Sequence, residues 1–275
     1  MSEPTGATPA VATAGDPSPA QAAHHEALNE IAQLEDLAQT LRRELLPTST
    51  PRPEVHVAVD YVPAMNAIGF GGDWFDTVDP DEHRLVLIVG DVAGHGARAA
   101  ARMALAQGAV RGLAMSSTLG HLPWLATRAL TGSRPEFFAT VGLIEVDLRT
   151  MSVAAALAGH PPPMLRGPDG TVTRLGGDPA PPIGLVDAPR AEPLPIPLMA
   201  GSLIVLYSDG LVERRGENLA DRLDRLQEVV SDLDSALDAE RALSEICNEM
   251  LTDDSEDDVA ILVASAGETW ATRYM

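Results

Sequence analysis

One stretch constrains this chain more than any other: Leu85-Val86-Leu87-Ile88-Val89-Gly90-Asp91-Val92-Ala93-Gly94-His95-Gly96. An apolar run ends in an acid, and a glycine-rich turn follows at once. The Ala- and Arg-rich segment 97–113 comes next. The pattern reads as a buried strand that delivers Asp91 to a tight turn, followed by a helix. A carboxylate is costly to bury unless it is paired or holds a metal. Asp91 is therefore a site candidate, and the rest of the sequence can be searched for acids that join it.

The totals narrow the choice. The 275 residues suffice for one large domain or two small ones, and 45% apolar residues supply a sizeable core. Forty acids against 19 bases give a formal charge of −21. That argues against nucleic acid or an anionic membrane as partner, because both need a basic face, and it is compatible with cation binding. All the bases are Arg, which reads as a GC-rich genome. The single Cys247 excludes an internal disulfide and suggests a reducing compartment. No run approaches the roughly 18 apolar residues of a membrane span, and no signal pattern opens the chain, so the expected location is cytoplasmic.

In order along the chain, residues 1–23 are Ala, Pro, Thr, Gly and Ser with few large apolar groups and are expected to be a disordered tail. His24 and His25 read as a solvated pair. Ala27, Ile31, Leu34, Ala38, Leu41 and Leu45 alternate spacings of four and three, a heptad seam with Leu28 and Leu37 beside it. This stripe fits a coiled coil and, equally, a helix packed on its own domain; since it looks like an element separate from the main domain, it is expected to join the protein as a homodimer through residues 27–45. Three prolines in residues 47–53 end it. The expected organisation is a tail (1–23), a linker helix with its Pro-rich connection (24–53), a main domain (54–266) and a short tail (267–275).

Within the main domain, residues 55–61 alternate and are β-branched, hence a strand. Asp73 follows Gly71-Gly72 and is expected in a glycine turn, with a second polar turn at residues 79–82. Residues 124–130 read as a helix. Residues 138–147 and 152–157 read as a hairpin turning at Leu148-Arg149-Thr150. A Pro-rich stretch follows, with one short strand near 171–175 and irregular chain at 193–197. Residues 202–207 form another buried strand, ending in Ser208-Asp209-Gly210, which repeats the design at Asp91. Helices are expected at 218–233 and 235–251, with Asn218 and Ser235 as caps, and a strand at 259–264 after the acids Asp253, Asp254, Glu256, Asp257 and Asp258.

Asp91, Asp209 and the Asp257–Asp258 pair thus stand at edges of apolar strands, with Asp73 nearby. Acids gathered in one place repel and raise one another's pKa unless cations neutralise them. All-oxygen ligands suit magnesium or manganese, and no Cys/His cluster has zinc spacing. Taken singly, Asp209-Gly210 is a common turn and residues 253–258 are a solvated acidic loop. His95 and His160 read as structural hydrogen-bonding groups.

The blocks Gly71-Gly72-Asp73-Trp74-Phe75-Asp76, Gly90-Asp91-Val92-Ala93-Gly94-His95-Gly96, Ala158-Gly159-His160-Pro161-Pro162, Tyr207-Ser208-Asp209-Gly210-Leu211-Val212-Glu213 and Asp257-Asp258-Val259 carry a resemblance when taken together. In this order they resemble the bacterial stage II sporulation protein E-type Ser/Thr phosphatases, a branch of the protein phosphatase 2C superfamily, over about residues 55–264. The resemblance implies an α+β fold, a four-layer αββα sandwich of two antiparallel β-sheets flanked by helices, preceded by a linker helix. It implies two or three Mn2+ or Mg2+ ions. Asp91 would bridge two of them, with the carbonyl of Val92 helping the second. Asp209 would bind the first ion, Asp257 or Asp258 would be the last ligand, and Asp73 would bind directly or through water. Asp91 and Asp209 would carry the reaction by activating water for in-line attack on a phosphoserine or phosphothreonine. The implied substrate is a phosphorylated anti-anti-sigma-type protein in a partner-switching pathway, with an upstream sensor or activator. Departures from the family pattern are mild: Ala260 stands where Thr or Ser is common, Ser208 where Thr is common, and Phe75 where Tyr is frequent. None removes an acid, so an active enzyme is expected, with a phosphatase-like scaffold as the alternative.

Overall fold

The computed structural model describes residues 52–63, 71–132, 136–185, 193–234, 238–252 and 257–267, with isolated positions at 28, 33 and 40. The heptad residues Ala27, Ile31, Leu34, Ala38, Leu41 and Leu45, and the tails at 1–23 and 268–275, lie outside them. Leu28, Gln33 and Thr40 are helical and exposed.

Strands β1 (Val55–Val62), β2 (Asp73–Asp81) and β3 (Arg84–Val92) are followed by helices α1 (Ala97–Ala114) and α2 (Leu122–Thr131). Next come β4 (Ala139–Asp147), β5 (Ser152–Ala158), β6 (Met164–Arg166), β7 (Val172–Arg174), β8 (Ile196–Pro197) and β9 (Leu203–Tyr207). Helices α3 (Leu219–Asp232) and α4 (Ala239–Met250) precede β10 (Val259–Ala266). Two five-stranded sheets result, ordered β1-β10-β9-β6-β7 and β2-β3-β4-β5-β8. Every pairing between the strands is antiparallel. This is the expected α+β sandwich.

The apolar runs are continuous because the central strands are covered on both faces. In β3, Leu85, Leu87 and Val89 pack between the sheets with Leu206 and Leu262. Val86, Ile88 and Val92 pack outward with Met103, Val110, Leu122 and Leu130 of α1 and α2. In β10, Ala260, Leu262 and Ala264 face inward, while Val259, Ile261 and Val263 meet Leu226, Val230 and Ile246 of α3 and α4. Each fully buried aliphatic side chain here contributes about 1.5–3 kcal/mol of transfer free energy. Gly90 interrupts the run because the ring of Trp74 occupies its outward face, where a Cβ would lie 2.3 Å from that ring.

Several local expectations need correction. Asp73 is not in a turn: it is the first residue of β2, opposite Asp91, whose strand supplies its backbone with a ladder. β2 also runs on through Asp79 and Asp81 to a short turn at Glu82-His83, with a register shift between Val78 and Asp81 absorbing Pro80. The Pro-rich stretch hides two further strands, β6 and β8, the second with its partner Ser152 opposite Pro197. α4 is capped by Asp238, whose carboxylate accepts from the backbone N–H of Arg241, not by Ser235. Asn218 caps α3 as expected.

Candidate active site

The strand period of two decides where each acid points. In β2, Trp74 faces α1 and Phe75 faces the opposite sheet, so Asp73 lies on the inter-sheet side with Phe75, and Asp76 on the helix side with Trp74. In β3 the same alternation puts Asp91 on the inter-sheet side with Val89. In β9, Tyr207 packs toward the helices and Ser208 toward the facing sheet. Asp73 and Asp91 are direct cross-strand partners, and Ser208 Oγ donates to Asp73 Oδ2 at 2.6 Å, joining the two sheets.

Asp209 starts a 3₁₀ turn, Asp209–Leu211, whose close is fixed by the Val212 and Glu213 amides donating to the Asp209 carbonyl at 2.8 and 2.6 Å. Asp257 and Asp258 precede β10. Asp258 is buried, its carboxylate lying where a Cβ on Gly71 would stand, whereas Asp257 is exposed and accepts from the Asp258 N–H at 2.9 Å. Two arginines hold the chain that leads to this pair. Arg214 donates to the Met250 carbonyl and to Thr252 Oγ1, both at 2.8 Å. Arg222 bridges the carbonyls of Leu211 and Met250 at 3.1 Å each.

The electrostatics identify these acids as one cluster. Burial pushes Asp91 up to about 7, with Asp209, Asp257 and Asp258 adding to the rise and a hydrogen bond from Asp73 opposing it. Burial likewise lifts Asp209 to about 6, helped by Glu213 and Asp257. Asp73 lies well above the ordinary carboxylate range because it is buried beside Asp91, Asp209 and Asp258. Carboxylates driven upward by burial and by one another mark a place where a cation would be strongly favoured.

The donor set fits divalent oxygen-binding cations. A Cβ on Gly72 would stand 2.0 Å from the Val92 carbonyl oxygen and 2.7 Å from Asp91 Oδ1, so the bare glycine keeps both oxygens clear. Among the described residues, no three of the acids are gathered as a ready-made ligand cluster; Asp73 is instead turned to Ser208 and Asp91. The all-oxygen chemistry is that of magnesium or manganese rather than zinc.

The structure thus brings Asp73, Asp91, Val92, Asp209, Asp257 and Asp258 to one end of the sandwich. His95 is exposed in the turn after β3. His160 is buried, its Nδ1 3.0 Å from Thr140 Oγ1, and burial holds its pKa down near 3, so it is a neutral structural group. Sequence reasoning missed three partners. Ser208, which in the sequence reads only as a mild replacement, is the buried donor to Asp73. Asp76 is 1% exposed and takes a short hydrogen bond from Arg111 of α1. The alternation of β2, which sets Asp76 opposite in face to Asp73, was the available signal.

Comparison with known proteins places the chain in a family. The family model of stage II sporulation protein E matches residues 81–267. Phosphoserine phosphatase RsbP of Bacillus subtilis (strain 168) is 25% identical over 183 residues, covering 63% of this chain and 44% of RsbP. The chain therefore spans less than half the length of that curated relative. The solved RsbU and RsbW domains of Rv1364c from Mycobacterium tuberculosis superpose with a TM-score of 0.64 at 28% identity, covering 78% of this chain and 60% of that one. The SiaA-PP2C domain of Pseudomonas aeruginosa shares the fold, with a TM-score of 0.70 at 21% identity over 89% of this chain and 99% of that domain. With well over half of its residues matched by the family model and its acids placed at one end of the sandwich, this chain belongs to the stage II sporulation protein E family.

Proposed function

We propose that this protein is a metal-dependent protein phosphatase that hydrolyses phosphoserine or phosphothreonine on a regulatory protein of the anti-anti-sigma, partner-switching type. The observation that carries the reading is that five carboxylates from both sheets lie at one end of the sandwich, near enough that Asp73 and Asp91 feel the others, with oxygen-only donors beside them. RsbX, which shares the fold with a TM-score of 0.60 at 16% identity, was solved in complex with magnesium, which supports a cation at this site. The substrate class rests on the partner-switching relatives, RsbP and the RsbU–RsbW pair.

Bound divalent cations would supply charge neutralisation on the phosphate oxygens and a water made acidic enough to attack. The remaining work falls to the chain. Asp91, on the floor between the sheets, and the Val92 carbonyl would be ligands to the cations, joined by Asp209 from the turn that follows β9 and by Asp257 or Asp258 from the chain just before β10. Asp73 would complete the set directly or through water. The narrow gap kept open by Gly72 lets the Val92 carbonyl take part.

Hydrolysis of p-nitrophenyl phosphate with Mn2+ or Mg2+, followed by dephosphorylation of candidate phosphoproteins from the same genome, tests the reading. Metal-dependent turnover that vanishes in Asp91→Asn and Asp209→Asn supports it. A second reading, a phosphatase-like scaffold, draws on the absence of a closed ligand cluster among the described residues. Failure to turn over any phosphoprotein with any divalent cation would favour the scaffold.

A further inference from the structure

Ser208 is the point at which three separate segments of the site touch. Its side chain is completely buried. Its Oγ accepts from the backbone N–H of Ala260 at 2.9 Å and donates to Asp73 Oδ2 at 2.6 Å. Its own N–H donates to the Ala260 carbonyl at 2.9 Å. A serine hydroxyl has one hydrogen and two lone pairs. The Ala260 amide occupies a lone pair, so the hydrogen is directed at Asp73. Ser208 is covalently next to Asp209, and Ala260 follows Asp258 by two residues.

This bond joins opposite sheets. Ser208 extends β9 and Asp73 opens β2, and the two residues are 135 positions apart. Around Asp73 the other charged neighbours are the carboxylates Asp91, Asp209 and Asp258, which repel it. A donor on Oδ2 fixes the rotation of the Asp73 carboxylate against that repulsion.

We propose that Ser208 is a positioning residue: through the Ala260 N–H···Ser208···Asp73 relay it holds the Asp73 carboxylate in the orientation that a divalent cation requires. The inference rests on the metal-dependent reading of the site. Groups one step removed from a metal, orienting its ligands, are each worth about 10–100-fold in metal affinity. That range is the size of effect assigned to Ser208.

The test is Mn2+ binding by isothermal titration calorimetry on the full chain, a readout independent of turnover. The variants are Ser208→Ala, Ser208→Thr, Asp73→Asn and the Asp73→Asn/Ser208→Ala double variant, each checked for cooperative melting without metal. Ser208→Ala is expected to raise the Mn2+ dissociation constant about 10–100-fold. Ser208→Thr, which keeps the hydroxyl, is expected to stay close to wild type. In the Asp73→Asn background, Ser208→Ala is expected to add nothing. Wild-type affinity in Ser208→Ala overturns the proposal. So does an equal loss with and without the Asp73 carboxylate, which would mark a general packing role. If Ser208→Ala does not melt cooperatively, Ser208→Cys, a weak donor, replaces it in the same cycle with the same deciding outcomes. A wild-type protein that binds no divalent cation overturns the metal reading itself and Ser208's role with it, a result distinct from a failure confined to Ser208.

Discussion

Asp73 and Asp91 stand directly opposite one another in the register of β2 against β3, both on the face that looks toward the second sheet. Like charges at opposed cross-strand positions destabilise a sheet. The pairing therefore costs local stability unless a cation neutralises it, as the proposed function requires, and most of the expected behaviour follows from that conflict.

If the proposed metal-dependent reading holds, Asp91→Asn is expected to reduce phosphatase activity by about 10³-fold or more, because it removes the carboxylate assigned there to the cations. The same substitution relieves repulsion on Asp73. In EDTA the variant should be more stable than wild type by about 1 kcal/mol, seen by calorimetry as a rise of about 2–4 °C. A lower metal-free melting temperature would contradict this account.

The stability of the metal-free protein should depend on pH with a definite sign. Asp91 near 7 and Asp209 near 6 both lie above the ordinary carboxylate value in the folded state, chiefly through burial. The folded state therefore binds protons more tightly than the unfolded one. Their contribution is full below about pH 4 and is lost as pH rises through about 6–7. Melting temperatures in EDTA should fall across that window, less steeply in Asp91→Asn, and saturating Mn2+ should flatten the profile.

His160 acts in the opposite direction. Its folded value near 3 lies below the ordinary value of about 6.5 because burial disfavours the imidazolium. Its contribution is full above about pH 6.5 and is lost as pH falls toward 3. His160→Asn should shrink the acid-side loss of stability in melts between pH 6.5 and 3.5 and leave the region above pH 7 unchanged in slope.

Two glycine-to-alanine substitutions should separate site from scaffold. At Gly72 the added methyl would collide with the Val92 carbonyl and the Asp91 carboxylate. A displacement of about 1 Å at such a place costs about 10²-fold in rate, so Gly72→Ala should lose activity and Mn2+ affinity together. At Gly108, inside α1, the new Cβ meets open space. Gly108→Ala should stabilise the protein by about 0.5–1 kcal/mol in urea unfolding, with kinetics unchanged.

Arg111→Ala should cost about 1–3 kcal/mol, since it leaves the buried Asp76 carboxylate without its cationic partner. Because Arg111 is itself half exposed, the figure stays below that of a fully buried pair. Urea unfolding of Arg111→Ala and of Arg111→Ala/Asp76→Asn measures it, with the second variant expected to recover most of the loss.

Much of this molecule is legible in its sequence, and the rest is hidden for identifiable reasons. β3, β9 and β10 announce themselves as apolar runs because helices cover one face and the opposite sheet the other. Asp91 and Asp209 are visible because each run ends near an acid that leads into a glycine turn, at Gly94-His95-Gly96 and at Gly210. Asp73 reads as a turn residue because the two glycines before it carry a strong local signal, while its strand status comes from a partner, Asp91, on the far arm of the β2–β3 hairpin. β8 is a two-residue pairing across Pro197, and no local propensity marks it. The Arg111–Asp76 and Ser208–Asp73 contacts join residues 35 and 135 positions apart. Such pairs are set by how the layers dock, a property that spacing along the chain does not encode.

The pairing of β1 with β10 has a consequence for how the protein is made. Val55 is matched to Ala266, so the earliest strand of the first sheet bonds to one synthesised about two hundred residues later. At about 5–20 residues per second, translation leaves β1 without its neighbour for on the order of 10–40 seconds. β10 is also the strand entered from Asp257 and Asp258, and its Ala260 completes the contact at Ser208. A nascent chain on the ribosome therefore has most of one sheet long before it has a finished site, and the acids at that end of the sandwich cannot come together until synthesis has passed β10.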